Sequence, residues 1–297
     1  MARQPLARTA NRVYLDHAAA TPVRPEVTAA IVEAEAVAFA NPSSSHAAGR
    51  LAKRILEDAR ERILALAGGR TTGPHRDRLV FTSGATEANR LGVLGLAGDR
   101  PGWIAGSSRD HPGLRQAAMD LEARGWVATE LPLTAHGCLQ PGLARDGFAA
   151  AAVSAGLLTV TTICGQTGIR EDLAGIVRLA HDFPAILFHA DATQAAAWEP
   201  LGFAESPFAT LAFAPHKFGG PRGIGGLVIR SGVPLRPIAA GPQELGLRGG
   251  TEAVALAVGF ARSFELAVTE RERVAARVAA LRNRFEREIV AAAAAAG

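Results

Sequence analysis

The stretch AILFHADATQ, residues 185–194, decides how the chain folds. It begins apolar on both faces and ends in a carboxylate, Asp191, followed by a polar turn. A half-exposed strand alternates apolar and polar residues, whereas a strand buried on both faces reads as a continuous apolar run. The same signature recurs at RLVF (78–81), WIAGS (103–107), LLTVTTI (157–163), TLAFAP (210–215) and GGLVIR (225–230). Between these runs lie segments of helical period: EANRLGVLGLAG after the turn TSGAT, then GLRQAAMDLEARG and EDLAGIVRLAHDF. Buried strands separated by amphipathic helices predict an α/β domain, a mostly parallel sheet covered by helices on both sides. Upstream, VYLDH reads as a short strand, followed by a proline-led helix from Pro25 to Phe39, the loop ANPSSSHAAG and the helix RLAKRILEDARERILALAG.

Composition narrows the functional classes. A chain of 297 residues with 48% hydrophobic content has core enough for one large domain, or a large and a small one. The net charge of +4 is dispersed as single Arg and Glu residues, without a basic run interleaved with aromatics, which argues against nucleic-acid binding. The longest apolar run, the alanine tract at 291–296, is far short of a membrane span. MARQPLARTANRV has no apolar segment of the secretory kind, so the expectation is a cytoplasmic protein without a membrane partner. Cys138 and Cys164 lack C-x-x-C spacing and a nearby His cluster, so neither a metal site nor a disulfide framework is expected. Of the 32 basic residues 30 are Arg and two are Lys, a bias that makes each retained lysine informative. Lys53 sits among Arg and Glu on a helix and reads as a solvated charge; Lys217 follows TLAFAP and precedes a glycine-rich turn.

In open α/β sheets ligands bind beyond the carboxyl ends of the strands. Four polar segments occupy such positions: TSGATEAN (82–89), SSRDHPG (107–113), HADATQ (189–194) and APHK (214–217). The run Ser83-Gly84-Ala85-Thr86 opens a helix and either cradles an anion on its backbone N–H groups or is an ordinary helix cap. Asp191 is either a counter-ion for a cationic ring nitrogen or a metal, or the N-cap of the next helical segment. Lys217 is either a desolvated amine suited to Schiff-base chemistry or a surface lysine. Taken together, an amine, a carboxylate and an anion cradle are the set that pyridoxal 5'-phosphate requires.

YLDHAAATP, NPSSSHAAG, FTSGATEAN, HADATQ, PHKFGGPRGIG and LRGGTEAV occur in this order, and the chain from about residue 13 to residue 285 resembles the cysteine desulfurases. These are class V aminotransferases, of fold type I among pyridoxal phosphate enzymes. The resemblance implies that Lys217 carries the cofactor and later moves the substrate α-proton, and that Asp191 keeps the pyridine nitrogen protonated. It implies that His111 stacks on the ring, Gln194 bonds the ring hydroxyl, and Ala85, Thr86 and His216 contact the phosphate. Thr251 would reach the phosphate of a neighbouring subunit, which implies a homodimer. The implied reaction converts L-cysteine to L-alanine with sulfur transfer, of the kind that serves iron-sulfur cluster assembly.

The chain departs from the family pattern in places. Ile163-Cys164-Gly165-Gln166-Thr167-Gly168 stands where an Asn-Asn-Glu run is usual, and Ala214 stands where a phosphate-binding serine is common. The family continues into a small domain with a sulfur-accepting cysteine and a carboxylate-binding arginine, and neither Cys138 nor Cys164 matches that cysteine. The expected organisation is therefore a pyridoxal phosphate-binding large domain over 13–262 and the beginning of a truncated small domain over 263–297. Desulfuration is expected to be impaired, or to depend on a sulfur acceptor or complementing protein. Two alternatives stand beside it: aminotransferase or lyase chemistry on another small amino acid, and a non-catalytic scaffold or partner subunit. A dehydrogenase is disfavoured because GGPRGIGG precedes a strand, the reverse of the dinucleotide fingerprint.

Overall fold

Parallel strands need long crossover connections, and the helical segments between the apolar runs provide them. In the computed structural model, which describes residues 13–140, 142–143, 145–146 and 156–295, these segments assemble around one sheet. The expectations placed on residues 1–12 and on the end of the alanine tract at 296 lie outside the described residues. In chain order the elements are α1 (Pro25–Val37), α2 (Ala47–Leu66), β1 (Arg78–Thr82), α3 (Ala85–Leu96), β2 (Trp103–Gly106), α4 (Pro112–Glu122) and β3 (Val127–Glu130). There follow β4 (Gly156–Thr161), α5 (Leu173–Asp182), β5 (Ile186–Asp191), α6 (Ala195–Trp198), β6 (Thr210–Phe213), β7 (Gly225–Ile229) and α7 (Val254–Ala295).

The strands form a seven-stranded sheet in the order β1-β7-β6-β5-β4-β2-β3. Neighbours from β6 to β3 run parallel, and β7 is antiparallel to both β6 and β1. This is the mixed, mostly parallel α/β sheet that the apolar runs predict. Side-chain alternation sorts the strands onto two cores. Leu79, Phe81, Leu158, Val160, Phe188 and Phe213 pack with Leu56, Ile63, Phe260 and Phe264 of α2 and α7. On the opposite face Ile104 and Leu157 pack with Val93 of α3 and Leu114 of α4, and Val80, Ala212 and Leu227 pack with Leu91 of α3. On the first face Phe213 meets Phe260 edge-on and Phe264 at a tilt, with ring centroids 5.2 Å apart in each pair.

Two local expectations differ from the structure. VYLDH forms no strand and pairs with no strand of the sheet. Its residues lead into a turn in which Tyr14 Oη donates to the carbonyls of Asp16 and Ala20 at 2.8 and 2.9 Å. Conversely VATE forms β3, a mostly exposed edge strand parallel to β2, whose polar residues give no apolar run to read. Among the described residues no helix is long and apolar enough to cross a membrane.

Candidate active site

The carboxyl ends of β4, β5 and β6 open with the β1–α3 turn into a cleft of about 830 Å³. Ala85, Thr86, His111, Asp191, Gln194, His216 and Lys217 all line it. Thr251 does not line it and lies exposed on the surface. Lys53 is exposed on α2, as a solvated charge should be.

The β1–α3 turn presents an uncapped helix start. Gly84 is the N-cap of α3 and supplies no side-chain bond, so the helix-cap alternative for Ser83 or Thr86 does not hold. Glu87 instead reaches back to accept from Ser83 N at 2.6 Å, and its other oxygen accepts from Arg248 Nε at 3.1 Å. Burial acts to raise the Glu87 carboxyl, but the Ser83 and Arg248 bonds outweigh it and hold it below its ordinary value. The turn lies directly on β7: a Cβ on Gly225 would stand 2.5 Å from the Gly84 carbonyl carbon, so only glycine fits there.

Asp191 ends β5 with 6% of its surface exposed, and both carboxylate oxygens are engaged. Oδ1 accepts from Thr193 N at 3.0 Å and Oδ2 from Asn89 Nδ2 at 2.8 Å. It is not the N-cap of α6, whose capping position is Gln194. Opposite, Lys217 Nζ donates to the Ala18 and Ala19 carbonyls at 2.7 and 3.0 Å. Burial lowers the pKa of this ammonium, with Asp191 and Asp16 pulling the other way. The neighbouring His216 is pushed down to about 4 by burial, and by Lys217 and Arg222 beside it, which keeps the imidazole neutral. The segment carrying Ala18 and Ala19 is stapled to the lysine turn. Thr21 N and Oγ1 donate to the His216 carbonyl at 2.8 and 2.9 Å, and Gly219 N donates to Thr21 Oγ1 at 2.7 Å.

His111 is the N-cap of α4, with Nδ1 accepting from Gly113 N at 3.0 Å; the ring proton therefore sits on Nε2. Its loop is anchored by Asp110, which accepts from Thr159 and Thr161 Oγ1 of β4 at 2.6 and 2.7 Å. Burial drives the Asp110 carboxyl upward against these bonds. Gln194 Nε2 donates to Ala18 O at 2.9 Å. Gly165 backs it closely: a Cβ there would lie 2.6 Å from that nitrogen.

Sequence reasoning passed over other members of the cleft. Asn89, Arg109 and Thr193 line it, and the Thr193 hydroxyl is buried without a hydrogen-bond partner. Arg109 pairs with Glu171 through Nη2, while its Nε and Nη1 have no partner. Cys164 also lines the cleft, 4% exposed, its thiol directed at the Arg109 carbonyl. Burial acts to raise that thiol, but hydrogen bonding at Thr167 and Gln166 and the Arg109 charge bring it below its ordinary value. Cys138 lies elsewhere, its Sγ donating to Arg170 O at 3.3 Å. Parity along β5 could have found His189, which shares a sheet face with Asp191 two residues on.

This donor set matches pyridoxal phosphate. An uncapped helix start suits a phosphate, a buried carboxylate suits a pyridinium, and an amine of lowered pKa suits a carbonyl. The orphaned Thr193 hydroxyl beside Asp191 is a polar atom still wanting a partner in the same cleft.

The profile of the family described as Aminotransferase class-V matches residues 13–294. The chain is 33% identical over 281 residues to the cysteine desulfurase IscS of Dictyoglomus turgidum, covering 93% of this chain and 69% of that protein. It is also 33% identical over 286 residues to the IscS-like cysteine desulfurase of Mycobacterium tuberculosis, covering 94% and 71%. Among solved structures, a NifS-like protein superposes with a TM-score of 0.86 at 27% identity, over 94% of this chain and 76% of that one. A structure described as SspA in complex with cysteine superposes at 0.77 with 31% identity, over 85% and 72%. With the sheet, the cleft and these relatives in agreement, the chain belongs to the class-V aminotransferase family of pyridoxal phosphate enzymes and is cysteine desulfurase-like.

Proposed function

We propose that the chain holds pyridoxal phosphate in the described cleft and acts on L-cysteine, releasing L-alanine and passing on sulfur. The observation that carries this reading is one cleft lined by Lys217, Asp191 and the uncapped start of α3. When bound, pyridoxal phosphate supplies an electron sink that labilises the α-proton of an amino acid.

The protein's own residues divide the remaining work. Lys217 attaches the cofactor and serves as the base for the α-proton; its lowered pKa raises the fraction present as free amine. Asp191 retains a proton on the ring nitrogen, held in place by Asn89 and the Thr193 N–H. His111, fixed at the head of α4, covers one side of the cofactor, and Gln194 bonds its hydroxyl. The N–H groups of Ala85 and Thr86, the Thr86 hydroxyl and His216 take the phosphate. Thr251, exposed and off its own cleft, serves the cleft of a second copy in a homodimer. Residues 13–262 form the cofactor-holding unit and 263–297 lead into a smaller one, in keeping with a run of buried residues on α7 that ends at Phe264.

Neither cysteine of this sequence is suited to take sulfur. Cys138 lies off the cleft, and Cys164 is buried against the Arg109 carbonyl. On this reading the acceptor thiol is one that these residues do not supply, such as that of a complementing protein. Borohydride reduction after incubation with pyridoxal phosphate should leave a pyridoxyl label on Lys217 by peptide mass spectrometry; a label on Lys53, or none, overturns the site. Lys217→Ala should slow α-proton exchange of bound amino acids by about 10²–10⁴-fold. Alanine release from L-cysteine should require an added acceptor-thiol protein. Turnover by the unaided chain would remove that requirement, and its loss in Cys164→Ala would give the acceptor role to Cys164.

A further inference from the structure

Behind the cleft, between α3 and the sheet, lies a file of buried polar side chains. His189 and Asp191 are two apart on β5 and so share one face of the sheet. Thr210 is the cross-strand partner of His189 on β6. Asn89 descends from α3 between His189 and Asp191. Thr210, His189, Asn89 and Asp191 are 0%, 1%, 1% and 6% exposed. The contacts run Thr210 Oγ1 to His189 Nδ1 at 2.8 Å, His189 Nε2 to Asn89 Oδ1 at 2.9 Å, and Asn89 Nδ2 to Asp191 Oδ2 at 2.8 Å.

The direction of every bond is set from its cleft end. The Asp191 carboxylate only accepts, so the Asn89 NH₂ faces it and the Asn89 carbonyl must face His189. That carbonyl also only accepts, so the His189 proton is on Nε2, and Nδ1 accepts from the Thr210 hydroxyl. Reversing the Asn89 amide would set its carbonyl against a carboxylate. Burial pushes His189 down to about 4, against the pull of Asp191, so the ring is neutral and carries the single proton this direction needs. The packing is built around the ring: a Cβ on Gly92, one turn after Asn89 on α3, would stand 2.5 Å from His189 Cε1 and Nδ1.

The geometry points to Thr210, His189 and Asn89 as a one-way relay that positions Asp191 as an acceptor toward the cleft, making Asn89 and His189 positioning residues. This rests on the reading of Asp191 as the partner of the cofactor's ring nitrogen. Every donor in the file is aimed at Asp191, so a proton on Oδ2 would meet another proton, and the proton of the pair is kept on the ring nitrogen.

The test is the ¹⁵N chemical shift of the ring nitrogen of ¹⁵N-labelled pyridoxal phosphate bound to the full chain, which reports protonation without turnover. The parent should show a protonated nitrogen and Asp191→Asn an unprotonated one. Asn89→Leu keeps the side-chain bulk but removes the donor without adding a charge, and should move the signal toward that of Asp191→Asn. His189→Gln, whose amide can still donate to Asn89, should retain the parent signal, whereas His189→Leu should move it. If Asn89→Leu and His189→Leu both keep the parent shift while Asp191→Asn loses it, the relay is overturned and the Asp191 reading stands. A protonated signal in Asp191→Asn overturns that reading and the relay with it. If Asn89→Leu fails to fold by circular dichroism, the contrast between His189→Gln and His189→Leu decides.

Discussion

The two walls of the cleft bury polar groups in opposite ways. On the α3–β5 wall, Asp191, Asn89 and His189 each find a partner for both polar atoms of their side chains. On the facing wall, Glu171 is 4% exposed and accepts from Leu139 N, Asp172 N and Arg109, yet Arg109 leaves two of its nitrogens unmatched. A low-dielectric interior strengthens a completed network and penalises an incomplete one by the same physics. The first wall can thus be stiff at little electrostatic cost, whereas the second depends on a single ion pair to keep a buried guanidinium tolerable.

Breaking that pair should give the largest stability effect. Glu171→Gln leaves Arg109 buried without its counter-charge, and urea unfolding should show a loss of about 3–5 kcal/mol. A loss below roughly 1 kcal/mol would mean that the two walls are equally well satisfied, and the contrast would fail.

The saturated wall should instead yield to acid. His189, at about 4 against an ordinary 6.5, takes up a proton when the protein unfolds between these values. By linkage its contribution is complete above pH 6.5 and is lost as the pH falls toward 4. His216 acts in the same direction. In the cofactor-free protein, unfolding free energy should therefore decline across this window, and His189→Gln should flatten the decline by one proton, about 1.4 kcal/mol per pH unit. An unchanged slope would show that His189 is already protonated in the folded protein.

Gly92→Ala should have the smallest effect but the sharpest sign. Alanine gains roughly 1 kcal/mol over glycine inside a helix, while forcing a methyl against a ring held by two hydrogen bonds costs about 1–3 kcal/mol. The expected result is a modestly lower melting temperature. A rise would mean that the His189 ring can shift aside and that the wall is less rigid than its bonds imply.

Much of this was legible from residue order. Strands buried on both faces announce themselves as apolar runs, which is why β4, β5, β6 and β7 could be read directly, while the polar VATE of β3 could not. Lys217 and Asp191 stood out because Asp191 ends an apolar strand and Lys217 follows one closely. Asn89 and Arg109 did not, although both lie in stretches that drew attention: an asparagine on a helix and an arginine in a loop acquire meaning only from what faces them across the fold. The pairing of Arg109 with Glu171, like the place that Gly165 leaves for Gln194, is a fact of three dimensions. VYLDH misled for the complementary reason, since strand-like composition makes a strand only where it is paired, and this segment pairs with none.

The pairing of β1 with β7 has a consequence for how the protein is made. Phe81 and Thr82, which lead into the α3 turn, pair in the ladder with Gly226 and Gly225, and it is Gly225 that backs Gly84. On a ribosome adding about 5–20 residues per second, the turn waits on the order of ten seconds for this support. Until β7 emerges, β1 is an unpaired edge in a nascent chain, open to neighbouring chains on the same polysome. Strand order thus places the demand for chaperones in the interval between the synthesis of β1 and that of β7.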